Sequence, residues 1–524
     1  MKRIGLLVLA LCWLAAEVRG ADWFRWRGPE QTGVSREKDL PDHWSPDPQA
    51  PNNNLIWKAP YGGRSTPIVM NGRVYLIDSS GAGITSQERI VCFEENTGKV
   101  LWEKKFNVWH TDIDILRLGW TNLAGDPETG HLYVHGTQGL FMCLDQDGKV
   151  VWSHSLAEEY GRISGYGGRN SSPIVDGDLV ILGILNASWG EQAGPGNRWL
   201  AVNKHTGIPV WWSASPVRPK DTYASVPVIA VINGERLLIT GGGDGAIHAL
   251  KVRTGEEVWS YMISTGGLSS SPVVDGNLVY ICNDGGNYDT NLLGRVMCFD
   301  ASQVTKGQPK VVWDKPGIEA RYTSPLLHEG RLYVADTNAR LQCFDGKTGK
   351  KLWTFKYGRN AKGSPVWADG KIYVGEVNSR FHILQPGDTN CKELDSVFFP
   401  SPNGDVEING NAAVANGKVF FSTSVETYCI GKKPHQGEAG PAPSLAEETP
   451  ADASRPTHLQ VVPAEVALAP GDSTAFKAQL FDEHGRFLRE TQAKWSVAPM
   501  QLPPTIKATP PPLKGEITQE GKLT

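Results

Sequence analysis

Between Leu55 and Ile430 the chain is a succession of short apolar runs, each bounded by a turn that contains glycine. One phrase recurs. It consists of small residues and a proline, an apolar run, Asn-Gly or Asp-Gly, two further runs, a Thr-Gly turn, and a last run holding tryptophan. Asn71-Gly72, Asp176-Gly177, Asp275-Gly276 and Asp369-Gly370 each separate two apolar runs, as a two-residue hairpin requires. The turns at Thr97-Gly98, Thr206-Gly207, Thr254-Gly255 and Thr348-Gly349 follow, with glycine taking a positive φ that other residues resist. Strand follows strand without helical periodicity, which predicts an all-β chain.

The repeat predicts the architecture. Successive copies end at Trp102, Trp152, Trp212, Trp259, Trp313 and Trp353, at intervals of 50, 60, 47, 54 and 40 residues. That spacing matches a four-stranded propeller blade of about 40–45 residues with loops added. The seventh copy, "GSPVWADGKIYVGEVNSRFHILQPGDTNCKELDS", puts Leu394 where tryptophan is expected, and the eighth, "NAAVANGKVFFSTSVETYCIG", holds only three strands. Upstream of the first copy, "NLIWKAP" reads as an orphaned fourth strand carrying Trp57. Its insertion into the eighth copy closes the array and removes the edge strands that an open one exposes. The expectation is an eight-bladed β-propeller closed by an N-terminal strand. Trp57, Trp102, Trp152, Trp212, Trp259, Trp313 and Trp353 are expected to dock neighbouring blades, because one large aromatic per repeat at one slot is packing.

The two ends differ from the repeat. Residues 1–20 read as an export signal, with basic Lys2 and Arg3, an apolar stretch Ile4–Ala16 too short to span a bilayer well, and a cleavage site after Gly20. Leu11 precedes Cys12 where a lipidation signal has a small residue, so no lipid anchor is expected. Residues 21–431 form the predicted propeller. Residues 432–456 are rich in Pro, Ala and Glu and cannot bury enough to fold alone, so they read as a linker. Residues 457–524 carry short alternating strands, and "VVPAEVALAPGDSTAFKAQLFDEHGRFLRETQAKWSV" resembles bacterial Ig-like domains. That family's pattern runs on through one more hairpin, so the module is either a strand short or a truncated product.

Composition narrows the function classes. The 524 residues include 58 Gly and 18 Trp, with a net charge of −4, which excludes a basic nucleic-acid binder. Seven cysteines follow the signal. Cys92, Cys143, Cys298 and Cys343 share one third-strand slot with Ala201 and Ala249, which marks a small buried position rather than a disulfide framework. Arg64, Arg169, Asn170, Arg321 and Lys362, with Asn409 and Asn411, precede the innermost strands. They are the candidate contacts for an anion at the channel mouth. The long excursions 110–119, 155–168 and 186–198 are the expected partner surface.

The phrase "SSPVVDG…VY" followed by Asp-x-x-Thr-Gly and Trp resembles the repeat of quinoprotein alcohol dehydrogenases and of the outer-membrane assembly lipoprotein BamB, over about residues 21–431. "DWFRWRGPEQTGVSREKDLPDHW" is similar to the leader of exported bacterial PQQ-binding-like propellers. The enzymes of that resemblance hold PQQ with calcium, against a Cys-Cys pair and often beside a Cys-x-x-Cys-His haem site. Neither motif occurs in this sequence. Asp112, Asp114, Asp221, Asp284 and Asp289 are scattered calcium candidates, whereas a hard cation needs about six converging oxygens. The reading is therefore a non-enzymatic, exported binding scaffold, periplasmic or at the cell surface and not membrane-spanning once cleaved, that engages an envelope protein, peptide or polymer. A divergent PQQ-dependent dehydrogenase is the alternative.

Overall fold

The Asn71-Gly72 hairpin sets the local pattern. Ile68–Met70 pairs antiparallel with Arg73–Ser80, and both turn residues have positive φ. A computed structural model describes residues 21–108, 117–161, 170–185, 196–433, 438–444, 446–498, 509 and 515–524. The predicted export signal and parts of all three excursions lie outside those residues. The described residues form eight four-stranded antiparallel sheets, a three-stranded sheet and a two-stranded one. We number the eight by their innermost strands, from sheet 1 at Ile68–Met70 to sheet 8 at Ala413–Ala415. In sheets 1 to 7 the strand order follows the chain. In sheet 8 the outer strand is Leu55–Ala59, paired antiparallel with Thr427–Ile430, so both ends of the repeat meet in one sheet of a β-propeller.

A circle of hydrogen bonds joins the sheets. It runs through one position per repeat, the residue just before each innermost strand's proline or its counterpart. The backbone N–H of Thr66 donates to Asn122 Oδ1 at 2.8 Å, and that of Asn122 to Ser172 Oγ at 2.8 Å. The N–H groups of Val226, Ser271, Ser324 and Ser364 donate to Ser271, Ser324, Ser364 and Asn411 at 2.6–2.8 Å. Asn411 N–H closes the circle on Thr66 Oγ1 at 2.9 Å. Between sheets 3 and 4 the link changes, because Val226 has no side-chain oxygen; Ser171 Oγ donates to Ser225 O instead.

The outer junctions use indoles. The Nε1–H of Trp57, Trp102, Trp152, Trp313 and Trp353 donates to the backbone carbonyls of Glu95, Gln146, Lys204, Gly346 and Gly387, each on the next sheet's last turn. Gly98 faces the Trp57 ring so closely that a Cβ there lies 2.6 Å from it, so the turn glycine serves docking as well as φ. The expected Trp212 is corrected by register. In the other sheets the docking indole lies opposite the small third-strand residue, as Cys92 opposite Trp102 and Cys143 opposite Trp152. Ala201 lies opposite Trp211, whose Nε1–H donates to Val252 O at 2.9 Å. Trp212 points to the other face, against Tyr160 and Arg198. Trp259 is buried in the core between sheets 4 and 5. The small slot exists because the opposing indole needs the space. All seven described cysteines are buried and unbridged, and burial pushes the Cys92, Cys143, Cys298 and Cys343 thiols up to about 12.

Sheet 7 lacks the indole, and the slot opposite Ile383 is held by Asp395 rather than by the expected Leu394. Asp395 Oδ2 accepts the backbone N–H of Trp44 at 2.9 Å. The Trp44 ring, 4 % exposed, fills the junction of sheets 7 and 8 among Phe381, Phe399, Phe421 and Tyr428. The segment before the first strand thus supplies the aromatic that the repeat omits.

The described residues of 432–456 lie along the hairpin end of the ring rather than free of it. Glu37 bridges Ala439, Arg253 holds Glu448 at 2.7 and 2.9 Å, and Thr449 N–H donates to Gly234 O. The three-stranded sheet of His458–Val462, Lys477–Phe481 and Phe487–Thr491 then rests on sheets 3 and 4. His458 reaches Glu256 at 3.1 Å, and Ala464 N–H donates to Pro209 O at 2.8 Å.

Two outcomes follow. Ser324→Ala leaves the buried Ser271 N–H unpaired and is expected to cost about 1–3 kcal/mol in urea unfolding, whereas Val226→Thr adds the one missing ring oxygen and raises stability by up to about 1 kcal/mol. Deleting residues 52–60 strips sheet 8 of its outer strand and removes the Trp57 dock, so the melting temperature falls; an unchanged melting curve would refute closure by this strand.

Candidate functional site

The ring encloses an axial channel, and the N-terminal arm enters it from the hairpin end. Trp23 pairs with Val69 of sheet 1, and Gly125 N–H of sheet 2 donates to Phe24 O at 2.7 Å. Gln31 makes two hydrogen bonds to the backbone of Ile229 in sheet 4, and Gly33 accepts the N–H of Trp367 in sheet 7. The sequence Arg25-Trp26-Arg27 therefore lies across the axis. Arg27 is 3 % exposed and donates to Pro325 O at 2.6 Å, Pro365 O at 2.7 Å and Thr32 O at 3.0 Å. It clamps sheets 6 and 7 from inside with carbonyls, and burial pulls its guanidinium down to about 9. Gly33 sits against that guanidinium, where any Cβ lies 2.3 Å from it. Burial likewise lowers Arg25, to about 10, against the pull of Asp176 and Asp126.

Above the plug lies a small axial cavity. Trp26 forms its floor, and ring residues such as Thr66, Asn122, Ser172 and Ser364 form its wall. Toward the loop end, Trp120 of sheet 2's approach meets Tyr322 of sheet 6's approach edge-on, with ring centroids 5.5 Å apart. Lys362 lies over Trp120 at 5.8 Å. About 60 Å³ remains inside. Asn409 Oδ1 and Asn411 Nδ2 are buried there without a protein partner, which suits one or two waters better than a larger ligand.

Of the residues predicted at the mouth, the structure brings Arg64, Asn170 and Lys362 to this cavity. Arg64 lies 3.8 Å from Glu407, and Asn170 donates its amide to Gly136 O and Thr137 O. Arg321 is not part of the lining; it pairs with Asp284 at 3.1 Å and covers Tyr322. Arg169 falls outside the described residues. The mouth is therefore not an unopposed positive patch, because Glu407 and Asp284 stand beside its guanidinium groups. Of the calcium candidates, Asp112 and Asp114 fall outside the described residues. Asp284 belongs to Arg321, Asp289 pairs with Arg295 at 2.5 Å, and Asp221 accepts the N–H of Thr222. Among the described residues no three His, Cys, Asp or Glu side chains group as a metal site.

PQQ with calcium does not fit these residues. The axis is filled by Trp26 and Arg27 from one end and by the Trp120–Tyr322 pair from the other. The space left is far below the roughly 300 Å³ at which small-molecule pockets begin. The plug was missed in the sequence because an arm of irregular backbone carries no periodic signal. Its one trace is the Trp-Phe-Arg-Trp-Arg run, aromatic and cationic together, at 23–27.

The family model described as outer membrane protein assembly factor BamB matches residues 86–355 and 308–451, more than half of the chain. Assembly factor BamB of Yersinia pestis is 22 % identical over 317 residues, covering 59 % of this chain and 72 % of that protein. The Burkholderia pseudomallei protein of the same name is 24 % identical over 347 residues, covering 64 % and 77 %. The crystal structure of BamB from Moraxella catarrhalis overlays 72 % of this chain and 99 % of its own, at 17 % identity and a TM-score of 0.50. Quinohemoprotein alcohol dehydrogenase from Comamonas testosteroni overlays 83 % of each chain, at 14 % identity and a TM-score of 0.56. At such identities the two structures speak for the fold alone.

Replacing Arg27 with alanine strands two buried carbonyls and opens the plug. The expected outcome is a loss of about 2–4 kcal/mol in urea unfolding with a red shift of tryptophan emission; a loss within about 0.5 kcal/mol would show that the arm does not brace the ring.

Proposed function

The chain belongs to the family of outer membrane protein assembly factor BamB, and on that premise we propose that it is an exported, eight-bladed β-propeller scaffold that binds a protein or peptide of the cell envelope through its loop face. In this reading residues 1–20 are the export leader and 21–431 the propeller. Residues 432–456 are a strap, and 457–524 an Ig-like module that acts as a spacer. No described helix is long and apolar enough to cross a membrane.

One observation carries the proposal: among the described residues, the arm, the strap and the C-terminal sheet cover the hairpin end, and none of them covers the loop end. The plug leaves little room for chemistry on the axis. On the loop side the connection between Leu278–Asn283 and Arg295–Thr305 presents Tyr288, Leu292 and Leu293, 57 %, 52 % and 52 % exposed. Lys220 lies 4.9 Å over the Tyr288 ring, and Val217 is exposed on the same approach. An aromatic and two leucines left open beside a cation form the kind of patch that marks a protein contact. The dehydrogenase alternative has the overlaid fold in its favour, but the axial cavity among the described residues is too small for its cofactor.

A photo-crosslinking residue at Leu292 is expected to capture one reproducible envelope protein in cells, and Leu293→Glu to abolish the adduct while shifting stability by less than about 0.5 kcal/mol. Equal capture from a probe at Leu459, on the C-terminal sheet, would count against the loop face. Titration with PQQ and Ca²⁺ is expected to give only the summed absorbance of the free components. Stoichiometric uptake with dye reduction by alcohols would overturn the scaffold reading.

A further inference from the structure

Where the C-terminal sheet rests on sheets 3 and 4, the two surfaces do not close. Between them lies a cleft of about 510 Å³, within the range of small-molecule sites and at the kind of junction where such sites occur. Gln460 faces into it from His458–Val462. The residue is 7 % exposed, yet both its Nε2 and its Oε1 lack any protein partner. A buried amide without hydrogen bonds costs free energy that an apolar side chain avoids, so Gln460 holds a donor and an acceptor unspent at the cleft wall. Gln479 is its cross-strand neighbour and lines the same cleft.

The remaining lining defines the ligand class. Two guanidinium groups border the cleft, but each is already matched. Arg236 forks onto Asp176, and Arg253 forks onto Glu448. The cleft is thus close to neutral, with apolar walls such as Leu179, Val210 and Val462 between its polar groups, which disfavours an anion. A peptide finds little purchase either, because the outer edge of His458–Val462 runs beside Pro209–Ala214, where Ala464 N–H donates to Pro209 O. What remains is a set of planar amides offering both donors and acceptors, next to Phe487, which is 46 % exposed at the opening. Planar polar groups that donate and accept in alternation, with an aromatic face beside them, match ring hydroxyls and the apolar face of a sugar. We infer that this cleft binds a neutral saccharide of one or two rings, with Gln460 hydrogen-bonding its hydroxyls and Phe487 stacking on a ring. The inference stands apart from the loop-face reading, since the cleft lies at the other end of the propeller.

The test is calorimetric titration of the whole chain with maltose, cellobiose and di-N-acetylchitobiose, and with tetra-alanine as the peptide arm. At least one disaccharide is expected to bind at a single site with a Kd below about 10 mM. Gln460→Leu is expected to weaken it at least about tenfold while keeping or raising the melting temperature, because it removes the unpaired amide. Phe487→Ala, at an exposed position, is expected to weaken binding without unfolding the module. No disaccharide binding up to that concentration, binding indifferent to Gln460→Leu, or preference for tetra-alanine would each overturn the inference.

Discussion

The backbone N–H that precedes each innermost strand is the group on which the ring depends. It stands at the crowded axis, out of reach of its own sheet's ladder and shielded from water, and a buried amide left unpaired is costly. The following proline, where present, holds the residue extended and aims that N–H sideways at the next repeat. A short side-chain oxygen at the same position of the next repeat receives it. Donor and acceptor are thus the two ends of one residue, and the same link repeats wherever a repeat keeps both. Ser, Thr and Asn meet that condition; Val226 keeps the donor alone, and its neighbour Ser171 compensates.

Closing the circle creates a narrow axis that something must fill. The arm at 21–54 fills it with Trp26 and the carbonyl-bonded Arg27, and supplies Trp44 at the one junction where the repeat has no indole. The same arm anchors the strap at Glu37 and Ala439, which leads the chain to the C-terminal sheet. One end of the propeller is in this way spent on intramolecular contacts. In the proposed reading, binding falls to the loop end and to the cleft beneath the C-terminal sheet, which the described parts of the arm and strap leave uncovered.

Much of this was legible in the residues. The Asn-Gly and Thr-Gly turns, the small third-strand slot and the orphaned Trp57 strand are local signals with local physical causes, and each appears where its signal stood. The misplacements share one cause. Trp211 and Trp212 are adjacent and chemically identical, as Leu394 and Asp395 are adjacent, and a bulge of one residue decides which faces the neighbour. Periodicity of two cannot register such a bulge before the strands pair. Of the predicted mouth residues, Arg64, Asn170 and Lys362 did converge, because they share a repeat position. Arg321 stands one residue earlier in its repeat, where Tyr322 takes the lining position, and pairs with Asp284 instead.

The high glycine and tryptophan content, the repeat and its open eighth copy determined by themselves that the chain is all-β and belongs with propellers. Turn chemistry and strand alternation act over a few residues, so they survive without tertiary context. Only the tertiary structure decided that the axis is plugged, that the Pro-rich segment is a strap and that Gln460 is buried without a partner. Each of these joins residues hundreds of positions apart, such as Arg27 with Pro365, or depends on the space left when two finished surfaces meet. Such contacts have no local pattern, because they arise only after the sheets exist.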